Sequence, residues 1–196
     1  MKVVLLGVNN RRLNVQRLKR KPNKKFIVGY IGALMKHKNV IFILKAAKIL
    51  KSKQNYEFII YGNGADKDIL LKFKESNNLD NVKLKGYLNE ENKSKAYESF
   101  DAFIFPSLYE GFGLPILEAQ SRGLPVIIYK NGKIPNEARR YCFKAESPEH
   151  MAQIIEDLKE NGYNEKLRKK ATEYARSFTW ERCAKETLEI YKKVLK

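Results

Sequence analysis

Residues 102–119 read Ala102-Phe103-Ile104-Phe105-Pro106-Ser107-Leu108-Tyr109-Glu110-Gly111-Phe112-Gly113-Leu114-Pro115-Ile116-Leu117-Glu118-Ala119. The four apolar residues 102–105, closed by Pro106, read as a short strand buried on both faces, because a proline cannot continue a hydrogen-bonded ladder. Pro115 suits the first turn of a helix, where its missing N–H costs nothing, so a helix starts there. Strand, glycine-bearing loop and helix in that order form one unit of an alternating β/α chain. The same alternation extends outward in both directions. Phe26–Ile31, Tyr56–Tyr61 and Val82–Leu84 read as earlier strands, Leu124–Tyr129 and Tyr141–Phe143 as later ones. Between them, Val40, Ile43, Leu44, Ala47 and Leu50 fall at helical spacing. The turn Gly62-Asn63-Gly64 leads to a helix capped near Asp66, and Asn89 opens another whose inner face is Ala96, Tyr97 and Phe100. Three helices finish the chain: one from Ser147-Pro148, one lined by Leu167, Ala171, Tyr174 and Phe178, and one capped by Thr179. The pattern predicts a single α/β domain, a Rossmann-like parallel sheet with helices on both faces. Ligands of such sheets sit beyond the carboxyl ends of the strands, in the loops that enter helices.

Composition narrows the function classes. The 196 residues are 43% hydrophobic, enough for a real core, so global disorder is excluded. No apolar run approaches the ~20 residues of a membrane-spanning helix, and Val3–Val8 is too short for a secretory signal. Cys142 and Cys183 cannot build a disulfide framework and read as core residues of a reduced, cytoplasmic protein. With only His37 and His150, a histidine-based metal cluster is ruled out by count. Charge is concentrated at one end. Residues 1–56 hold 15 Lys+Arg and no acid, whereas the rest, with 24 basic and 22 acidic groups, nearly balances. Such a field suits an anionic partner: ligand phosphates, an acidic protein, a membrane face or nucleic acid.

The chemistry concentrates in the loop after Phe105. Gly111 and Gly113 permit backbone conformations and close approaches that a side chain would block. The helix that follows offers free N–H groups and a partial positive charge, suited to a phosphate or to sugar hydroxyls. Glu110 and Glu118 flank the turn, and an ionised carboxylate accepts two hydrogen bonds from a vicinal diol. One could hold a sugar ring and the other a ribose. Glutamates near a helix start also serve simply as partners of its dipole, and spacing does not decide between the two.

The stretch SLYEGFGLPILEAQSRGLPVI (107–127), with its Glu-x7-Glu spacing at Glu110 and Glu118, resembles the C-terminal half of GT-B retaining glycosyltransferases, in particular glycosyltransferase family 4 (group 1). The resemblance covers nearly the whole chain. VGYIGALMKHKN (28–39) looks like the family's first strand and phosphate loop, FIIYGNG (58–64) its second strand, LKGYLNEEN (84–92) its base-proximal loop, and FTWERCAKETLEIYKKVL (178–195) its terminal helix. It implies a nucleoside-diphosphate-sugar donor site in residues 26–196, preceded by a basic, interdomain-linker-like segment at 1–25. Glu110 would contact donor-sugar hydroxyls beside the reacting carbon and Glu118 the ribose hydroxyls. Gly32 would lie in the phosphate loop, and Gly111, Phe112, Gly113 and Leu114 would hold sugar and phosphate through their backbone N–H groups. Lys38 falls where the family places a lysine on the diphosphate, where it would stabilise the departing group. Transfer would retain anomeric configuration, with no cofactor and no metal in this domain. The acceptor implied is a glycan or lipid-linked glycan of polysaccharide biosynthesis.

Two departures shape the expectation. Ala33 follows Gly32 where the family usually has Arg. The opening KVVLLGVNNRRL (2–13) resembles the segment that leaves the family's N-terminal, acceptor-binding domain, so the chain is expected to bind donor but to transfer little unless another chain supplies that domain. A non-catalytic nucleotide-sugar-binding subunit or remnant is the alternative. Peripheral contact with anionic lipid at the inner membrane face is an expectation of the basic first quarter. Nucleic acid is not expected: Arg11, Arg12, Arg17, Lys19, Arg20, Lys21, Lys24 and Lys25 carry no recognisable motif and little aromatic interleaving. Tyr109 and Phe112 would wall the sugar pocket or pack in the core, His37 would assist a phosphate or lie exposed, and Gly62-Asn63-Gly64 would turn near the donor. The stripe Trp180, Cys183, Ala184, Thr187, Leu188, Tyr191 and Val194 is expected to be partly exposed, as a partner-binding surface.

Overall fold

A computed structural model describes residues 4–8 and 25–195. Six strands form one all-parallel sheet: β1 (Phe26–Ile31), β2 (Tyr56–Tyr61), β3 (Val82–Leu84), β4 (Ala102–Phe105), β5 (Val126–Tyr129) and β6 (Phe143–Ala145). Their spatial order is β3-β2-β1-β4-β5-β6. The helices are α1 (Val40–Ile49), α2 (Lys67–Ser76), α3 (Glu90–Ser99), α4 (Leu114–Ser121), α5 (Asn136–Arg139), α6 (Pro148–Asn161), α7 (Glu165–Arg176) and α8 (Trp180–Val194). The expected doubly covered parallel sheet is what the chain forms.

The chain builds the sheet outward from β1 to β3, then returns so that β4 lies beside β1, with Val28 opposite Ala102 and Gly29 opposite Phe103. That reversal makes the carboxyl ends of β1 and β4 the topological switch point, where two loops diverge and leave a crevice. All four residues of β4 are buried. Next to them Gly29 lets the Phe100 ring lie against the backbone, since a Cβ there would come within 2.2 Å of it. Asp101 closes the junction by accepting the Ile27 N–H at 2.7 Å.

Helix starts follow their capping residues. The Asn89, Ser147, Asn164 and Thr179 side chains each accept a backbone N–H of the first turn, each worth about 1 kcal/mol. Four expectations shift. Strand β5 begins at Val126 rather than Leu124, because Pro125 offers a carbonyl to Phe103 but has no N–H for the ladder. Strand β6 starts at Phe143, since Tyr141 sits at φ 62, outside strand geometry. The short α5 was not anticipated, and Asp66 precedes α2 without a side-chain cap.

The main core lies between the sheet and its helices. A second cluster joins Val8, Leu117, Ala175 and Phe178, with Phe112 and Tyr174 packed against it. Val8, from the segment expected as a linker, thus docks on the domain, and its N–H donates to the Phe178 carbonyl at 2.8 Å. Arg11 through Lys24 of the basic segment lie outside the described residues. Helix α8 has no buried residue, so the expected exposed stripe is present. Among the described residues no helix is long and apolar enough to cross a membrane.

Candidate functional site

Two loops leave the switch point side by side. After β1 the chain runs through Gly32 to a single 3-10 turn, Lys36–Lys38, and Asn39 at φ 54 redirects it into α1. After β4 it runs through Pro106 to Gly113 and into α4. Backbone and side chain fasten the two together. The Leu108 N–H donates to the His37 carbonyl at 2.7 Å, and the Asn39 amide donates to the Pro106 carbonyl at 3.2 Å. The His37 and Tyr109 rings stack with centroids 4.9 Å apart. On the far side, Lys133 N–H donates to Leu108 and Glu110 N–H to Lys133.

This fastening brings Lys38 and Glu110, 72 residues apart, into an ion pair of 2.6 Å with both side chains largely buried. The ammonium also lies 5.4 Å from the Phe105 ring centroid. Below it, the Tyr30 phenol donates to the Ala33 carbonyl at 2.9 Å. Burial first, and the Glu110 charge second, push that phenol up, so it stays a neutral donor.

Glu118 takes different partners. Its Oε1 accepts from Lys93 at 3.0 Å and its Oε2 from the Tyr97 hydroxyl at 2.8 Å. Tyr97 is fully buried, and burial together with the Glu118 charge drives its phenol well above the usual range. The two carboxylates therefore look to separate cationic neighbours, Glu110 across the β1 loop and Glu118 across α3. Lys93 is the residue that the sequence reading missed. Its signal was its position four residues before Tyr97, which places both on one face of α3.

The glycines divide. Gly113 caps α4 at φ 95, a conformation that favours glycine, and Ile116 donates to its carbonyl. Gly111 differs from Gly113: its φ is not positive, and a Cβ there would meet no protein atom within 4 Å. Phe112 turns its ring onto Phe178, 6.1 Å between centroids, while Tyr109 stays exposed. At the start of α4 Pro115 has no N–H and Ile116 spends its own on Gly113, so Leu114 is the first helical residue whose N–H can face outward. Gly32 lies against the Tyr30 phenol, and its carbonyl faces Gly62. Gly62-Asn63-Gly64 is the expected turn, held to the β1 loop by the bond from Leu34 N–H to Asn63 O. Cys142 packs against the core as expected, and Cys183 is half-buried on α8.

A cationic side chain paired with a carboxylate at a switch point, beside a helix start with no side-chain cap, can receive an anionic, polyhydroxylated ligand. Comparison with known proteins gives that site a context. A family model described as "Glycosyl transferases group 1" matches residues 12–178. The O-antigen chain mannosyltransferase B of Escherichia coli is 30% identical over 83% of this chain and 45% of its own length. The chain thus spans less than half of that relative. A TarM mutant from S. aureus, solved in complex with fondaparinux, alpha-GlcNAc-glycerol and UDP, superposes with a TM-score of 0.75 at 25% identity, covering 97% of this chain and 39% of that one. Sucrose-phosphate synthase from Thermosynechococcus elongatus shares the fold, with a TM-score of 0.83 at 21% identity over 99% of this chain and 52% of that one.

Proposed function

The chain belongs to the group 1 glycosyl transferases, and on that premise we propose that it holds the nucleoside-diphosphate-sugar donor of a retaining sugar transfer. The observation that carries the reading is the Lys38–Glu110 pair, assembled from the β1 and β4 loops at the switch point. Lys38 faces the diphosphate and offsets the charge that develops as it departs, together with the first N–H groups of α4 around Gly111, Phe112, Gly113 and Leu114. Glu110 accepts hydroxyls of the donor sugar, and Glu118 those of the ribose. Gly32 lets the β1 loop run close beneath the phosphates. The protein's task is positioning and charge stabilisation, with no resident cofactor or metal in the scheme.

The acceptor in this reading is a glycan or lipid-linked glycan, in keeping with the O-antigen relative. Its binding is assigned to the part of the relatives' length that this chain does not span. A cytoplasmic protein held at the inner membrane face by its basic first quarter fits that substrate.

Calorimetric titration of the 196-residue chain with UDP, GDP, ADP and their sugar conjugates tests the donor site. Saturable binding of one nucleotide is expected, weakened about 10- to 100-fold in Glu118→Ala, the scale of a lost hydrogen bond to a charged group. A folded chain that binds none of them overturns the reading.

A further inference from the structure

We propose that Tyr97 and Lys93 are positioning residues that lock the Glu118 carboxylate so that one lone pair on each oxygen is left for a cis-diol, which makes the site read ribose against 2′-deoxyribose. The proposal deepens the donor-site reading and rests on it. A carboxylate has about four acceptor positions, two per oxygen. Here the Lys93 ammonium takes one on Oε1 at 3.0 Å and the Tyr97 hydroxyl takes one on Oε2 at 2.8 Å. Neither oxygen has spent both positions on these two donors, and neither is left without a fixed donor. That is the arrangement a pair of adjacent hydroxyls would use, one to each oxygen.

The donors are themselves held. The Tyr97 ring is buried among Phe103, at 5.3 Å between centroids, and Phe100, at 6.3 Å, and the Arg122 guanidinium lies 4.9 Å over it. The phenol stays protonated, so it can only act here as a donor to the carboxylate. The Lys93 ammonium stands between Glu118 and Glu90, whose Oε2 is 3.6 Å away. The backbone beneath Glu118 is fixed as well, because Ser121 Oγ and Arg122 Nη1 both donate to its carbonyl, at 2.8 and 2.9 Å. A glutamate's terminal torsion is otherwise broad. Two donors from one face of α3, one on each oxygen, remove that freedom before any ligand arrives, and preorganisation of this kind is what converts a contact into discrimination. A 2′-deoxyribose would leave one oxygen of the largely buried Glu118 carboxylate short of its second partner, which a hydrogen-bonding pocket rejects strongly.

The experiment is binding of UDP, GDP and ADP and of their 2′-deoxy counterparts by the wild-type chain and by Tyr97→Phe, Lys93→Met and Lys93→Arg, with each variant's fold checked by circular dichroism. Wild type is expected to prefer the ribonucleotide about tenfold or more, and Tyr97→Phe and Lys93→Met to cut the preference to within about threefold by weakening the ribonucleotide alone. Lys93→Arg restores it. If Tyr97→Phe does not fold, Lys93→Met on the half-exposed face carries the test. Equal loss of both sugars, an unchanged ratio, or tighter ribonucleotide binding in Lys93→Met overturns the proposal, the last because Lys93 would then compete for the carboxylate. Wild-type binding with no ribose preference overturns it too, and leaves the donor site standing. No wild-type binding at all removes the donor site and this proposal together.

Discussion

The Cys142 thiol lies 3.7 Å from the Ala138 carbonyl and accepts the Gln120 amide at 3.4 Å. Burial pushes it up to about 12, against smaller opposing effects of Arg139 and Lys144. In the unfolded chain it returns to its ordinary value, 9.0. Below that value both states keep the proton, and the thiol's contribution to stability is fully present. As the pH rises toward 12 the unfolded state binds fewer protons than the folded one, so stability falls. From pH 8 to pH 10 the loss through this one group amounts to about 1.4 kcal/mol. Cys142→Ala should therefore lose less stability than wild type over that interval, by about that amount, in urea unfolding at the two pH values. Tyr163, whose phenol is pushed up by burial first and by the Cys142 charge second, loses the second effect in the variant, which adds to the difference in the same direction. The other buried tyrosines contribute equally to both proteins and cancel. Gln120 keeps its bond to the Arg140 carbonyl at 2.7 Å in the variant. Parallel pH slopes for the two proteins would refute the assignment.

The loops after β1 and β2 run as a pair so close that side chains are shut out. A Cβ on Gly62 would stand 1.9 Å from the Gly32 carbonyl oxygen, and one on Gly64 would stand 2.3 Å from that of Leu34. Gly62→Ala must therefore push the β1 loop away, at a cost of about 1–3 kcal/mol in urea unfolding, the range of an overpacked position. Gly111→Ala, with open space around it, should stay within about 0.5 kcal/mol of wild type. An equal response of the two variants would contradict the geometry. These elements also show what a sequence discloses. Strands β1 to β4 were legible because short apolar runs set between helical patterns have few other readings, and Asn89, Ser147 and Thr179 announced their helices by the chemistry of capping. The glycines at 62 and 64 looked like a turn, but the reason for them, contact with another loop, is not local. Strand β6 slid by two residues because a three-residue edge strand carries almost no pattern and Tyr141 takes an unforeseen positive φ. The Glu-x7-Glu spacing pointed to the two carboxylates. Their pairing with Lys38 and Lys93, 72 and 25 residues away, depends on which loops and helices become neighbours, and no periodicity encodes that.

Across the whole molecule, stability is distributed unevenly, and α6 and α8 are the sharpest contrast. They are nearly the same length, 14 and 15 residues. Helix α6 buries Met151, Ala152, Ile154, Ile155 and Leu158, whereas α8 has no buried residue. Leu188, Tyr191 and Val194 are 52%, 61% and 79% exposed. Among the described residues, α8 is tied down by its Thr179 cap, the close packing of Gly7 against the backbone of Trp180, and ion pairs such as Arg182–Glu186. An exposed i,i+4 pair adds only a few tenths of a kcal/mol, and a helix of this length is marginal in water without a packed face. Opening α8 thus sacrifices little burial, while opening α6 uncovers the flank of the sheet. Native-state hydrogen exchange should show α8 amides exchanging at least about a hundredfold faster than those at the centre of α6, because local openings range from near zero up to the global free energy. Protection of α8 equal to that of α6 would mean that its apolar stripe is covered in solution. Repeating the exchange at tenfold dilution would then separate the causes: a second copy of the chain releases the protection on dilution, and a contact within one chain does not.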